Sequence, residues 1–160
     1  MTVEVMTLPM REALEYWASK IPLRAGDFYD LAEAARANAF TVSGVGSMDL
    51  IAELHESLGK ALEEGLSFGS WKKGIRDVLE KLGWMKQNRR LDNIFRTNIQ
   101  TAYSVGRWKQ MQRVKAVRPY WQYDSMNDSK TRPTHRALDE KVFPADHPFW
   151  DTWFPPNGFR

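Results

Sequence analysis

Apolar residues recur with a helical period over much of the chain, most clearly over residues 88–113. At about 100° per residue, the apolar side chains of this stretch fall in one arc, formed by Leu91, Ile94, Phe95, Ile99, Ala102 and Val105. Arg89, Arg96 and Arg107 project from roughly the opposite side. The pattern predicts one long amphipathic helix with a basic outer face.

Asn98 lies near the middle of that apolar arc. A buried amide without hydrogen-bond partners costs about 1 to 3 kcal/mol. We therefore expect Asn98 to bond to a loop or a neighbouring helix, and to have a structural role in preference to a ligand-binding one.

Four shorter helices are predicted before the long one, over residues 8–20, 27–38, 47–64 and 67–82. The last three of these have predicted N-caps, which are Asp27, Ser47 and Ser67. Gly65 and Gly83 are predicted to end the third and fourth helices. A brief extended link over residues 40–44 precedes the third helix.

From Pro119 onward the helical period gives way to aromatic residues, turns and prolines. Residues 120–124 and 142–143 are predicted strands, with a turn and a short helical turn between them and an aromatic loop after them. The predicted fold class is mostly α with a small C-terminal α+β module. The helical domain is built around the long amphipathic helix.

Three segments are predicted: N-terminal helices and a link over residues 1–46, a helical core with the long basic helix over 47–118, and the small α+β module over 119–160. A chain of 160 residues has room for a helical domain with a small appendage, but not for two full-sized domains. The sequence stops directly after the aromatic loop, which suggests either that the native polypeptide continues beyond Arg160 or that this sequence is only the ordered part of a longer one.

Composition narrows the possible classes of protein. The first ten residues lack a basic run followed by an apolar core, and no stretch of 18 consecutive apolar residues occurs, so neither a secretion signal nor a membrane span is expected. The absence of Cys excludes disulfides, thiolate metal sites and a Cys nucleophile within these residues. We expect a folded chain in a cytoplasm or in a particle assembled there.

The charge is distributed unevenly. Residues 86–118 contain nine Lys and Arg residues against one acid, Asp92, whereas the whole chain has a net charge of only +3. Such a basic block suggests a polyanion or an acidic protein surface as the partner; the alternative is a solvated helix face that is merely rich in arginine. The candidate nucleic-acid-binding residues are Arg89, Arg96, Arg107, Lys109 and Arg113.

A second candidate site is a polar cluster in the C-terminal module. Its carboxylates and imidazoles include Asp124, Asp128, His135 and His147. Such groups can hold a divalent metal or act in acid–base chemistry, as in small nucleases, but their spacing matches no specific metal motif. In the alternative that we favour, Asp128 and Thr131 cap a turn, while Arg132 pairs with a carboxylate and His135 bonds to the backbone.

Trp150, Trp153 and Phe154 carry large apolar surface close to the end of the chain. These residues are candidates for a docking interface, because aromatic anchors contribute much of the binding energy of protein interfaces. The alternative is that they close the small core of their own module.

Three stretches carry a family resemblance: RLDNIFRTNIQTAYSVGRWKQM, PYWQYDSMNDSKTRPTHRALD and HPFWDTWFPPNG. Together they resemble the Mu F-like family of phage head morphogenesis proteins, the minor head proteins of tailed bacteriophages, and the resemblance extends from about Phe40 to the C-terminus. The positions that match a structural motif of the family include Asn98, Asp128, Thr131, Arg132, His135, Pro155 and Pro156. One departure is that family members typically continue into a Cys-Arg-Cys stretch, whereas this sequence ends at Arg160.

The resemblance implies a minor head protein, present in a few copies per virion and bound near the portal inside the head. Its implied roles are capsid assembly and genome packaging or ejection, in the host cytoplasm and then in the virion. The implied partners are the portal protein, the major capsid or scaffold protein, and phage DNA bound without sequence specificity. Members are not generally enzymes, so no catalytic residue, metal or cofactor is expected. A metal-dependent nuclease and a plain DNA-binding module are the alternatives.

Overall fold

The computed structural model describes residues 10–155, which divide between two compact units with a boundary between Arg107 and Trp108. The first unit is largely helical and the second is a small α+β module, so the predicted fold class is confirmed. The boundary lies within the long helix. The segments 1–46, 47–118 and 119–160 stay predictions.

The first unit contains helices and one pair of very short strands. In chain order its elements are α1 (Arg11–Ala18), β1 (Ile21–Pro22), α2 (Ala25–Asp30), α3 (Glu33–Arg36), β2 (Ala39–Phe40), α4 (Met48–Glu64), α5 (Phe68–Gly74), α6 (Arg76–Lys81) and α7 (Asn88–Val114). The strands β1 and β2 run parallel, with Ile21 opposite Ala39 and Pro22 opposite Phe40. No helix within residues 10–155 has the length and apolar composition needed to cross a bilayer.

Helix α4 follows its prediction closely. The hydroxyl of Ser47 accepts a hydrogen bond from the Leu50 amide at 3.4 Å, and the helix ends at Gly65, whose φ is +63°. One stripe of the helix is buried, formed by Ile51, Leu54, Leu58, Ala61 and Leu62. Local capping and a 3.6-residue apolar period are therefore sufficient to define this element.

The single helix predicted over residues 27–38 is wrong. Leu31 and Ala32 are extended, with ψ of 146° and 147°, and they separate α2 from α3. Asp27 lies inside α2 and is not an N-cap, and Ala35 is exposed. Neither helix buries a residue, so core packing does not hold this stretch in one continuous helix.

The single helix predicted over residues 67–82 is also interrupted. Ile75, with φ of −107° and ψ of 22°, separates α5 from α6 directly after Gly74. Glycine weakens a helix at this point. Trp71, Ile75 and Leu79 follow one another at intervals of four residues and are all buried in the same core, so the interruption leaves these three large side chains inward.

Helix α7 supplies one side of that core. Leu91, Phe95 and Ala102 are buried, and the Phe95 ring lies 5.2 Å from the Trp71 ring, measured between centroids. Gly106 is buried where α7 meets the start of α1. A Cβ atom at this position would lie only 2.9 Å from the backbone nitrogen of Ala13, so a side chain here has no room.

His55 is a half-buried residue of α4 that packs on Trp17. Their rings stack at 4.8 Å, and the indole nitrogen of Trp17 donates to the His55 carbonyl oxygen at 3.1 Å. Burial lowers the pKa of His55 below its ordinary value of 6.5, and nearby Lys20 acts in the same direction. The stacked imidazole is therefore favoured in its neutral form.

The second unit is built on an antiparallel pair of strands. Its elements are the last turns of α7, then β3 (Tyr120–Gln122), α8 (Pro133–Leu138), β4 (Val142–Pro144) and α9 (Phe149–Trp153). Trp121 lies opposite Phe143 in the strand pair. Trp121, Tyr123, Ala145 and Trp150 form the buried core, against which Trp108 of α7 packs. The predicted aromatic loop thus contains the short helix α9.

We predict that Gly106→Ala destabilises the chain. Overpacking costs about 1 to 3 kcal/mol, which outweighs the roughly 1 kcal/mol that Gly→Ala gains from helix propensity. Urea unfolding measures the difference. The control is Gly74→Ala, because a Cβ atom at position 74 meets nothing within 4 Å and position 74 is also helical. If the two variants are equally stable, the close approach at Gly106 is not tight in solution.

Candidate functional site

The three arginines predicted to form a basic face do share one side of α7. Arg89, Arg96 and Arg107 are exposed, and they are separated by seven and eleven residues, which are about two and three full helical turns. The row extends about 27 Å along the helix at 1.5 Å per residue. All three lie in the first unit.

One arginine of this row is already paired. The guanidinium of Arg96 donates to the carboxylate of Asp92 at 3.0 Å, one helical turn earlier. Within residues 10–155, Arg89 and Arg107 have no such carboxylate partner. The two ends of the row therefore carry most of its uncompensated positive charge.

Lys109 and Arg113, the other two candidate nucleic-acid-binding residues, belong to the second unit. Both are exposed on the last turns of α7.

A cleft of about 800 Å³ opens beside the first turns of α7. One wall is the link over residues 41–43, and the other is formed by residues 86–98. The cleft carries basic, amide and hydroxyl side chains, including Lys86, Arg89, Arg90, Asn93, Thr97 and Asn98. Among the described residues that line it, there is no Asp or Glu.

Arg90 holds the two walls together, a role that was not predicted from the sequence. Its guanidinium lies 4.0 Å from the centre of the Trp84 ring and donates a hydrogen bond to the carbonyl oxygen of Ser43. Gly44 has a φ of +76°, and a Cβ atom there would lie 3.1 Å from the Arg90 guanidinium. The pairing of Gly83 and Trp84 just before the basic stretch is the only sequence signal for this contact.

Asn98 is half-buried and lines the same cleft. Its side-chain nitrogen donates to the Ile94 carbonyl oxygen at 2.7 Å, within α7 itself. The expected bond to a loop or a neighbouring helix is therefore wrong. A backbone carbonyl one turn earlier was within reach of the short amide side chain.

The polar cluster of the second unit is organised around a turn. The hydroxyl of Thr131 donates to Asp128 at 3.0 Å and accepts from the Asp128 amide at 3.0 Å. This agrees with the expected capping of the turn. Arg132, however, is exposed and pairs with no carboxylate within residues 10–155, because it precedes α8 with its side chain outward.

His135 is half-buried, and its Nδ1 atom lies 2.7 Å from the Tyr123 hydroxyl. The expected bond to the backbone is replaced by this side-chain contact. The Trp153 ring lies 5.5 Å from the imidazole. Burial raises the pKa of Tyr123 above 10.0, and the nearby Asp139 carboxylate raises it further.

The residues proposed for a nuclease do not converge. Asp124 is exposed, and His147 accepts a hydrogen bond from the Phe149 amide while its ring lies against Phe143. Within residues 10–155, no group of three or more His, Asp or Glu side chains is arranged to hold a metal ion.

The aromatic residues proposed as an interface pack within their own unit. Trp150 is 4% exposed, and its indole nitrogen donates to the Pro144 carbonyl oxygen at 3.0 Å. Trp153 and Phe154 are half-buried against the same core. Pro155 is exposed, and Pro156 lies outside the described residues.

Comparison with known proteins places these features in a family. The family model described as Phage Mu protein F like protein matches residues 52–160. "Putative capsid assembly protein F" of Escherichia phage Mu is 34% identical over an alignment of 170 positions, which covers 96% of this chain and 39% of the relative. The Mu-like prophage FluMu F protein of Haemophilus influenzae is 33% identical over 144 positions, covering 82% of this chain and 35% of the relative.

The chain thus spans well under half the length of these two relatives. No solved structure matches it.

We predict that Arg90→Lys destabilises the first unit by about 1 to 3 kcal/mol. Lysine has no planar guanidinium to lie over Trp84 while bonding to the Ser43 carbonyl. The neighbouring substitution Arg89→Lys is the control, with an expected change within about 0.5 kcal/mol. Thermal and urea unfolding measure both. Equal stability of the two variants would show that Arg90 does not hold the link to α7.

Proposed function

Because this chain belongs to the Phage Mu protein F like family, we propose that it acts in assembling the head of a tailed phage. The observation that carries the proposal is the 34% identity with the phage Mu relative named for capsid assembly, over 96% of this chain. In the full form of the proposal, the chain is a minor head protein. A few copies lie near the portal inside the head and act in assembly and in genome packaging or ejection.

A binding role suits the side chains better than a catalytic one. Exposed basic side chains lie on α7 and along the cleft, where they face solvent. By contrast, Asp128 and His135 are engaged by the turn and by Tyr123. The proposed partners are therefore macromolecules: the portal protein, the major capsid or scaffold protein, and DNA. In this proposal the chain binds its partners and has no catalytic centre of its own.

DNA contact is proposed through the row formed by Arg89, Arg96 and Arg107. These exposed side chains follow one side of a single helix, which suits a line of phosphates and gives no means of reading base sequence. Binding is therefore expected to be nonspecific. Asp92 opposes it by neutralising the middle arginine.

The head-assembly role predicts that the chain is a stoichiometric component of the particle. Heads purified from cells that assemble the cognate phage should contain it in fewer copies than the major capsid protein, as measured by quantitative mass spectrometry. The internal controls are the portal protein, which should be present, and a cytoplasmic phage protein, which should be absent. Finding the chain in the lysate but not in purified heads would overturn the role.

The DNA-binding row predicts a salt-sensitive affinity for duplex DNA. Neutralising about three phosphates gives a slope near −3 for the logarithm of the binding constant against the logarithm of salt concentration. Asp92→Asn should strengthen binding about 1.5- to 5-fold, the effect of releasing a surface ion pair worth about 0.2 to 1 kcal/mol. Fluorescence anisotropy with labelled duplex measures both quantities.

Arg107→Glu should weaken this DNA binding more than Arg24→Glu, which changes the net charge equally at an exposed position outside α7. A slope near zero, or the same loss in both variants, would remove the row as the DNA contact. The head-assembly role does not depend on this result.

A further inference from the structure

We infer that the cleft beside α7 binds an extended acidic segment of another protein. The inference rests on the proposed assembly role only for the identity of that protein, which would be a component of the head. The charge, shape and hydrogen-bonding capacity of the cleft define the site itself.

The charge of the cleft is of one sign. Lys86, Arg89 and Arg90 line it, and no acid does among the described residues. The nearby Asp92 is occupied by Arg96 and is not a lining residue. Glutamate or aspartate side chains entering the cleft would meet guanidinium and ammonium groups, with no like charge to oppose them.

After the first turn of α7, the cleft is lined by polar side chains that can form hydrogen bonds to a peptide backbone. Asn93, Thr97 and Asn98 come from successive turns of α7 and provide amide and hydroxyl groups, which can both donate and accept. Such groups can bond to the amides and carbonyls of an extended chain.

Arg90 fixes the position of the link relative to α7. Its guanidinium is held between the Trp84 ring and the Ser43 carbonyl, so the two walls cannot separate without breaking that contact. A site formed before binding loses less conformational entropy when the ligand arrives.

The shape and lining favour a peptide over nucleic acid. A duplex touches side chains that protrude, such as the row that includes Arg107, whereas Asn98 is half-buried within the cleft. Sites for single-stranded nucleic acid place bases on aromatic rings. The described lining residues of this cleft include no aromatic side chain.

The test uses the 160-residue chain and a fluorescein-labelled peptide of eight glutamates, with an eight-glutamine peptide as the uncharged control. Fluorescence anisotropy at about 0.15 M salt, where charges farther apart than roughly 8 Å are largely screened, measures affinity. We expect saturable binding of the glutamate peptide only. Amide NMR shifts on binding should concentrate at Ile94, Thr97 and Asn98.

Two charge reversals on the same helix distinguish the cleft from general attraction. Arg89→Glu, which lines the cleft, should weaken binding about tenfold or more, because a charge-assisted contact is replaced by repulsion. Arg107→Glu changes the net charge equally about 27 Å along the helix and should change affinity by less than about twofold. Circular dichroism checks that both variants are folded.

Several results would overturn the inference. These are no saturable binding of the glutamate peptide, equal losses in the two variants, or NMR shifts spread along α7. If oligothymidylate displaces the labelled peptide at a concentration tenfold below that of unlabelled glutamate peptide needed for the same displacement, the site would instead be assigned to single-stranded nucleic acid. If the chain is present in heads but fails this test, the inference alone is wrong. If the peptide binds but the chain is absent from heads, the assembly role alone is wrong.

Discussion

The packing of Phe95 against Trp71 is the contact on which the first unit depends most. Trp71 is 1% exposed, and its indole nitrogen donates to the Ser57 hydroxyl at 3.0 Å, which in turn donates to the Leu54 carbonyl oxygen at 2.8 Å. One aromatic side chain thereby joins α4, α5 and α7. Since a buried aromatic pair needs close, specific geometry, this contact fixes which side of α7 faces inward.

The outward side of α7 follows from that constraint. With Leu91, Phe95 and Ala102 buried, the arginine row must face solvent, and the start of the helix lies beside the link that Arg90 holds through Trp84 and Ser43. A surface for anions and a cleft beside it are thus consequences of core packing. Because its buried side is anchored in the core, α7 presents its arginines on a defined side of the unit.

In the second unit, the aromatic residues form the hydrophobic core. A unit of about 50 residues has room for only a small core, and large rings such as Trp121 and Trp150 bury much apolar surface per residue. His135 and Tyr123 extend this packing with a polar contact. The family match extends across this unit, so its ring-rich core belongs to the segment shared with phage Mu protein F.

The sequence by itself determined the elements whose causes are local. An apolar period predicted α4 and the long α7, capping residues predicted the ends of α4, and the change of composition at Pro119 predicted the strand pair. Only the tertiary structure decided the breaks at Leu31 and Ile75, the Arg90 contact with Ser43 and the partner of His135. Arg90 and Ser43 are 47 residues apart, and no local pattern encodes such a meeting. The formation of a helix depends mainly on residues three or four positions apart in the sequence. An interruption of a helix, or a contact between distant residues, depends on which side chains the folded core brings together.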